Sequence, residues 1–228
     1  MTSTPKNLLP AIELETGIRP THTILWMHGL GADGNDFVPI VNELALPRNP
    51  HIRFLFPHAP MRPVSINNGL VMRAWHDYDL TSSNSVFREN AASLRDSQGA
   101  IEALIDREKL RGIVPENILL AGFSQGGALA LHTGIRYPEK LAGIMALSCY
   151  LPAAQTLAAE AHQANSGTSI FMAHGNLDNI IPMTLAAASN LQLQAAGYAV
   201  EWHEYAMAHA VCKDEIANIG NWLKRVLI

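Results

Sequence analysis

The sequence predicts an α/β fold with a mostly parallel central sheet and helices on both faces. Short apolar runs of strand length alternate with longer segments of helical spacing almost from end to end, which is the pattern of β-α-β units. The chain has 228 residues, 48% of them hydrophobic, and is long enough to bury a substantial core. We see no repeat, low-complexity segment or linker, so we expect one domain over residues 1–228.

Each element follows from a local pattern. Residues 11–16 alternate apolar and polar side chains, as a half-buried strand does. The further predicted strands are 21–29, 51–60, 117–123, 141–148, 169–175 and 198–206. The predicted helices are 36–46, 86–108, 125–137, a weak Ala-rich one at 156–164, 184–196 and 215–227. Residues 57–79 are expected to be one long irregular loop, a type of segment that is often functional.

Composition excludes several classes of protein. The formal net charge is -4, with 16 basic and 20 acidic residues and no basic run, which argues against a nucleic-acid partner. No segment offers the ~20 apolar residues of a membrane-spanning helix, and the start of the chain lacks the apolar core of a signal peptide. The chain has only 2 cysteines, so we expect no disulfide framework and a cytoplasmic location.

The clearest chemical motif is "GFSQG", residues 122–126, which fits G-x-S-x-G. It lies between a predicted strand and a predicted helix. A tight strand-to-helix turn can hold its central serine in a strained conformation, and small neighbours leave room for it. We therefore predict that Ser124 is a nucleophile; the alternative is a serine that merely lies in a glycine-rich turn.

A serine nucleophile needs a histidine base and a carboxylate that orients it. In α/β-hydrolases the chain order is Ser, then Asp or Glu, then His. Among the histidines after Ser124, His209 follows the last predicted strand, where a loop can bring it over the sheet. The less favoured candidates lie in helices or strands, or precede a better acid: His132, His162, His174 and His203.

Asp178, in "HGNLDNIIP", has the matching position for the acid. Its alternative role is that of a turn residue. Asp214 and Glu215 fall in the first turn of the last helix and fit its dipole better. A metal site of His174, Asp178 and His209 is possible in composition, but no metal-ligand spacing supports it. The sequence predicts no cofactor.

Two backbone amides are candidate donors to an oxyanion. The N–H of Gln125 lies at the start of the helix after Ser124, where the helix dipole also favours negative charge. The second donor is expected in the loop after an earlier strand, "WMHGLGADGNDF". We nominate the N–H of Leu30; alternatively, the glycines there only reverse the chain.

Taken together, the motifs resemble those of a known family. "HGLGADG", "PHAPMRPVSINNGLVMRAW", "GFSQGGALAL", "LSCYLP", "HGNLDNIIP" and "MAHAVCKDEI" occur in the order seen in the phospholipase/carboxylesterase family, which includes bacterial carboxylesterases and acyl-protein thioesterases. The likeness covers about residues 11–227. The resemblance implies an α/β-hydrolase fold, Ser124, Asp178 and His209 as the triad, and Leu30 and Gln125 as the oxyanion hole. It also implies that Trp75 helps to line the acyl site, although an aromatic residue there can equally be part of the core.

Three positions depart from the usual family pattern. Ala208 stands where a glycine commonly precedes the histidine, Ala210 where a small polar residue is frequent, and Cys149 where "LSG" is usual. We expect these departures to affect substrate preference more than catalysis.

The predicted activity is that of a serine carboxylesterase that forms an acyl-enzyme. The segment between the predicted strands 141–148 and 169–175 has room for about one short helix, so we expect no large cap domain and a fairly open site for short- to medium-chain acyl esters. The alternatives are an acyl-protein thioesterase, a lysophospholipase and, from another class, a non-catalytic ligand-binding module. A homodimer is a further expectation, from an exposed apolar loop at residues 64–75.

Overall fold

The computed structural model of the chain describes residues 8–79 and 88–228. Strands and helices alternate there as the sequence predicts. The strands are β1 (Ala11–Glu15), β2 (His22–Met27), β3 (Ile52–Pro57), β4 (Met61–Val64), β5 (Leu70–Arg73), β6 (Tyr78–Asp79), β7 (Arg88–Glu89), β8 (Ile118–Phe123), β9 (Gly143–Leu147), β10 (Ser169–Gly175) and β11 (Val200–Tyr205). The α-helices are α1 (Ala91–Leu110), α2 (Gln125–Arg136), α3 (Leu157–Glu160), α4 (Met183–Ala195) and α5 (Lys213–Leu227).

The main sheet has seven strands in the order β1-β3-β2-β8-β9-β10-β11. β1 pairs with β3 in antiparallel fashion, and the other neighbours are parallel. The carboxyl ends of β2, β8, β9, β10 and β11 therefore meet along one edge of the sheet. The segments that follow these strands lie at this edge, which is where α/β sheets place their sites.

The side chains of the strands divide between two apolar layers. In β2, Leu25 and Met27 pack in the layer with α1 and α2, while Ile24 and Trp26 pack in the layer with α5. Alternation of this kind follows from the two-residue repeat of a strand. The predicted mostly parallel sheet with helices on both faces is confirmed.

Two predicted segments are wrong. Residues 57–79 do not form one irregular loop, because β4 and β5 pair as an antiparallel hairpin around a 3-10 turn at Ser65–Asn67. The predicted helix 36–46 is only a 3-10 turn at Val38–Asn42, with a proline in its first positions.

The predicted helix 86–108 begins later than expected, at Ala91. Asn90 caps α1 by accepting a hydrogen bond from the Ser93 N–H at 3.0 Å. Residues 86 and 87 lie outside the described part of the chain.

No large cap domain covers the carboxyl edge in the described part of the chain. Residues 148–168, between β9 and β10, contain only the four-residue helix α3 and two 3-10 turns, Ala154–Thr156 and Gln163–Asn165. The absence of a large cap agrees with the prediction. None of the helices in the described ranges is long and apolar enough to cross a membrane.

Candidate active site

Ser124 occupies a strained turn between β8 and α2. Its φ is 54° and its ψ is -122°, a conformation that costs a residue with a side chain of order 1–3 kcal/mol. The surrounding structure holds it there: the Ser124 N–H donates to the Leu147 carbonyl at 2.8 Å, and the Ser124 carbonyl accepts from the Ala128 N–H at 3.0 Å. The turn presents the serine at the carboxyl edge of the sheet.

Close backbone packing explains the glycines around Ser124. A Cβ atom added at Gly122 would overlap the backbone of Gly126, and one added at Gly126 would overlap the carbonyl oxygen of Met27. At Gly127 it would lie 2.9 Å from the Sγ of Cys149. The start of α2 therefore sits directly on the ends of β2 and β8, which fixes Ser124 relative to both strands.

We expect Gly126→Ala to lower the free energy of unfolding by about 1–3 kcal/mol, because the methyl group meets backbone that cannot move aside cheaply. The matched control is Gly167→Ala, whose added Cβ would lie 3.9 Å from the Lys140 Nζ, in ordinary contact. We expect the control to change the free energy by less than about 0.5 kcal/mol. Urea denaturation measures both; equal losses would contradict this account of the turn.

Asp178 and His209 form a hydrogen-bonded pair. The His209 Nδ1 lies 2.6 Å from the Asp178 Oδ2, and the other carboxylate oxygen accepts from the N–H groups of Ile180 and Ile181 at 2.8 and 2.9 Å. Burial by itself raises the pKa of Asp178, but the hydrogen bonds from His209 and the two amides outweigh it and hold the pKa below its usual range. Asp178 is therefore ionised at neutral pH and fixes which nitrogen of His209 carries the proton.

The loops that carry this pair are joined to each other. The Asn176 N–H donates to the Tyr205 carbonyl at 2.9 Å, and the Leu177 N–H donates to the Met207 carbonyl at 3.1 Å. Gly175 permits this approach, because a Cβ there would overlap the carbonyl oxygen of Met207. The glycine after His174 thus sets the spacing between the acid and the histidine loop.

The His209 ring lies beside the serine turn. Its centroid is 4.8 Å from that of the Phe123 ring, the residue before Ser124, and its side chain is 17% exposed. Among the described residues, the Ser124 hydroxyl makes no hydrogen bond to this ring. Catalytic hydrogen bonds of this kind are often long without substrate and tighten when substrate binds.

The segments that carry the predicted oxyanion donors lie beside Ser124. A Cβ added at Gly29 would lie 3.5 Å from the Ser124 Cβ, so the loop after β2 runs alongside the serine. In the part of the chain that the structure describes, neither the Leu30 nor the Gln125 amide donates a hydrogen bond. For Gln125 this is expected of the first residue of a helix.

The remaining predicted site residue, Trp75, has no exposed surface in this structure. Its indole N–H donates to the His28 carbonyl at 2.8 Å, within the loop after β2. The structure therefore places Trp75 behind the candidate oxyanion donors, and its role in lining an acyl site stays a prediction.

The less favoured histidines have other surroundings. His132 is buried in α2, and burial lowers its pKa to about 3, so it is neutral at physiological pH. The His162 Nδ1 accepts a hydrogen bond from the Ala164 N–H at 3.2 Å in a surface turn. The His203 Nε2 lies 3.0 Å from the Glu201 Oε1.

Sequence reasoning grouped His174 with Asp178 only as a possible metal ligand and did not predict its hydrogen bonds in the acid loop. The Nε2 of the buried His174 lies 2.8 Å from the Ile181 carbonyl and 3.3 Å from the Asp178 Oδ2. An Nε2–H in this position faces two oxygen acceptors, so it helps to hold the acid loop. His174, Asp178 and His209 do come together, yet the described ranges contain no group of three or more His, Cys, Asp or Glu side chains arranged to hold a metal ion.

The three departures from the family pattern are accommodated. Ala208 is absent from the residues with a left-handed φ, so alanine brings no backbone strain to the histidine loop. The Ala210 N–H donates to the Ala208 carbonyl at 2.9 Å and tightens that loop. Cys149 is 1% exposed and fills the space beside Gly127.

The chain matches one protein-family model over most of its length. The family model described as Phospholipase/Carboxylesterase matches residues 11–227. The chain belongs to the phospholipase/carboxylesterase family. Phospholipase/carboxylesterase membership makes it an α/β-hydrolase and a serine hydrolase of carboxylic esters.

Similar proteins include both carboxylesterases and thioesterases. A probable carboxylesterase of Oryza sativa subsp. japonica is 34% identical over 222 residues, which are 96% of this chain and 83% of the relative. An acyl-protein thioesterase 1 of Yarrowia lipolytica is 33% identical over 220 residues, 94% of this chain and 96% of the relative. Among solved structures, SOBER1 of Arabidopsis thaliana has a TM-score of 0.82 at 32% identity, covering 91% of this chain and 99% of its own.

Proposed function

We propose that this chain hydrolyses short- to medium-chain acyl esters through an acyl-enzyme carried on Ser124. The observation that carries the proposal is the 2.6 Å hydrogen bond between Asp178 and His209 beside the strained Ser124 turn. The carboxylate and imidazole come from two different loops, and a serine turn from a third segment lies next to them. These observations support Ser124 as the nucleophile, His209 as the base and Asp178 as the orienting acid.

The proposed steps are those of a serine hydrolase that forms an acyl-enzyme. The His209 Nε2 accepts the hydroxyl proton as the Ser124 Oγ attacks the acyl carbonyl carbon. The N–H groups of Leu30 and Gln125 donate to the resulting oxyanion. The tetrahedral intermediate collapses by breaking the bond to the leaving oxygen, which takes the proton from His209. Water then repeats the sequence on the acyl-enzyme and frees the carboxylic acid.

Covalent labelling tests whether Ser124 is an activated nucleophile. A fluorophosphonate reacts with an activated serine hydroxyl, so we expect the folded protein to be modified once and the mass shift to map to the peptide that contains Ser124. His209→Ala should slow labelling strongly while leaving the fold intact. Failure of the folded wild-type protein to react would favour a non-catalytic ligand-binding module.

The preference for acyl length follows from the absence of a large cap in the described residues. Short elements in residues 148–168 leave little structure that could enclose a long chain. We expect kcat/KM on p-nitrophenyl acetate, butyrate and octanoate to exceed that on the palmitate ester. A clear maximum at palmitate would reject this part of the proposal.

A second candidate substrate is an acyl thioester on a protein surface. The support is the name of the Yarrowia lipolytica relative, acyl-protein thioesterase 1, which aligns with 94% of this chain. The family description also includes phospholipases, so a lysophospholipid is a third candidate. Turnover of an oxygen ester, a thioester and a lysophospholipid with the same acyl group ranks the three.

Three expectations concern the chain as a whole: one domain over residues 1–228, a cytoplasmic location and a homodimer. Two free cysteines support the cytoplasmic location. The exposed Leu70 and Val71 of β5 support association with a second copy. Size-exclusion chromatography with light scattering tests the dimer.

A further inference from the structure

Trp75 joins three parts of the molecule that meet behind the candidate oxyanion hole. Its indole N–H donates to the His28 carbonyl at 2.8 Å, and its backbone N–H donates to the Gln125 Oε1 at 2.7 Å. Its backbone carbonyl accepts from the Ser97 hydroxyl of α1. With every polar group paired and no exposed surface, the residue is held in one position.

The Gln125 side chain makes the matching contacts from the other side. Gln125 is 3% exposed, and its Nε2 donates to the His76 carbonyl at 2.8 Å while its Oε1 accepts from Trp75. The Nε2 also lies 3.5 Å from the Tyr78 hydroxyl oxygen. The residue whose backbone amide faces the site is therefore tied through its side chain to residues 75–76.

The loop that carries Leu30 is fixed by the same segment. The His28 carbonyl is held by the Trp75 indole, and the Gly31 N–H donates to the Arg73 carbonyl at 2.9 Å. The His28 ring further stabilises this loop. Its Nδ1 lies within hydrogen-bond distance, 2.7 Å, of the Gly29 carbonyl, and its Nε2 accepts a hydrogen bond from the Ala59 N–H at 3.1 Å. Positions on both sides of Leu30 are thus bonded to residues 73–75.

We propose that Trp75 and the Gln125 side chain form a brace that sets the distance between the two oxyanion donors, the amides of Leu30 and Gln125. Trp75 is then a positioning residue, because it acts through His28 and Gln125 and not on the substrate. The inference rests on the proposed function. The physical reason is that donors stabilise a developing oxyanion only when they are held in place beforehand, so a small displacement lowers the rate.

The first test compares two tryptophans. Trp75→Phe keeps a buried aromatic ring but removes the N–H that holds the His28 carbonyl. Trp222→Phe makes the same change in another buried tryptophan, whose Nε1 donates to the Ser169 hydroxyl at 3.2 Å near the opposite edge of the sheet. Each variant loses one indole hydrogen bond, which is buried for Trp75 and partly buried for Trp222, so the loss of stability in Trp222→Phe should be similar or smaller.

We expect Trp75→Phe to lower kcat on p-nitrophenyl butyrate roughly tenfold or more, with KM within about twofold of wild type, because oxyanion contacts form in the transition state. Trp222→Phe should leave kcat within about twofold. Equal kcat values for the two variants, or an increase confined to KM in Trp75→Phe, would overturn the brace.

A second measurement reports the oxyanion directly. The serine oxygen adds to the carbonyl carbon of a trifluoromethyl ketone. The adduct is tetrahedral and places its oxyanion in the oxyanion hole. We expect Trp75→Phe to weaken its binding by about the same factor as kcat/KM falls, since both measure transition-state stabilisation. Unchanged ketone affinity in Trp75→Phe would also overturn the brace.

A variant of the other member covers the case in which Trp75→Phe does not fold. Gln125→Glu leaves the backbone amide in place and keeps the acceptor for Trp75, but an ionised carboxyl cannot donate to the His76 carbonyl. The two residues that the Gln125 Nε2 contacts have titratable side chains that keep their protonation state between about pH 5 and 8, because burial lowers the pKa of His76 to about 3 and raises that of Tyr78. The variant-to-wild-type ratio of kcat should therefore rise as the pH falls and the introduced carboxyl regains its proton. A ratio independent of pH would contradict the brace.

These outcomes are separable from failure of the proposed function. If Ser124→Ala keeps its activity, or the wild-type protein does not react with a fluorophosphonate, the triad assignment fails. If Ser124 is essential and the Trp75 and Gln125 variants retain wild-type kcat, only the brace fails.

Discussion

Replacing Ser124 by alanine is expected to lower kcat for ester hydrolysis by roughly 10⁴-fold or more. The reason is that the oxygen that forms the acyl-enzyme is lost, while the oxyanion donors and the substrate site remain. In the variant, only direct attack by water on the bound substrate is possible. Its residual hydrolysis should therefore show no pre-steady-state burst of p-nitrophenol, and mass spectrometry should detect no acyl-enzyme. Stopped-flow assays on p-nitrophenyl butyrate measure both.

The fold offers a matched control in Ser148. Ser148 follows β9 as Ser124 follows β8, and it too has a left-handed φ, 47°. The Ser148 N–H donates to the Ala173 carbonyl at 2.8 Å, as the Ser124 N–H donates to Leu147. Its hydroxyl is buried and has no hydrogen-bond partner among the described residues. Ser148→Ala should keep kcat within about twofold, and a comparable loss in both variants would mean that the serine turn matters for folding and not for chemistry.

Much of the fold could be predicted because its signals are periodic. The main strands are short apolar runs and the main helices have apolar residues at helical spacing, so their order and the parallel sheet follow. The β4–β5 hairpin could not be predicted in this way. Each strand has four residues, one contains Pro63, and three of its apolar side chains, Met61, Leu70 and Val71, face solvent. Such strands show neither the alternation nor the burial on which sequence reasoning depends.

The candidate site, too, could be predicted only in part from the sequence. Ser124, Asp178 and His209 could be nominated because each follows a strand whose carboxyl end reaches one edge of a parallel sheet. The contacts of Trp75 and Gln125 could not, because their partners are backbone groups of His28, Trp75 and His76. A backbone carbonyl leaves no trace in the residue types, so a glutamine that binds one looks like any other glutamine.

We expect Asp178→Asn to lower kcat by about 10³–10⁴-fold while KM changes little. The Asn oxygen can still accept from the Ile180 and Ile181 amides, which turns its NH₂ group toward the His209 Nδ1. Two donors cannot face each other, so the ring must move its proton to Nε2. The nitrogen that should accept the serine proton then no longer can.

His174 makes this substitution harder to accommodate by a flip of the amide. Its Nε2 lies 2.8 Å from the Ile181 carbonyl and 3.3 Å from the Asp178 Oδ2, so an Nε2–H that donates to Ile181 also faces the Oδ2 position. With the oxygen turned toward the two histidines, the Ile180 and Ile181 amides would instead face the NH₂ group and lose their acceptor. Either orientation leaves buried donors opposed, so we also expect a loss of about 1–3 kcal/mol in the free energy of unfolding.

The control is Asp214→Asn in the first turn of α5. The Asp214 carboxylate is exposed and interacts favourably with the positive end of the helix dipole. Its kcat should match the wild type, and its stability should fall by less than about 1 kcal/mol. Fluorophosphonate labelling separates the causes in Asp178→Asn: a folded variant that labels at the wild-type rate would show that the acid does not act through His209. Slow labelling that recovers as the pH is raised would show the reverse, because alkaline conditions favour the serine alkoxide without help from the imidazole.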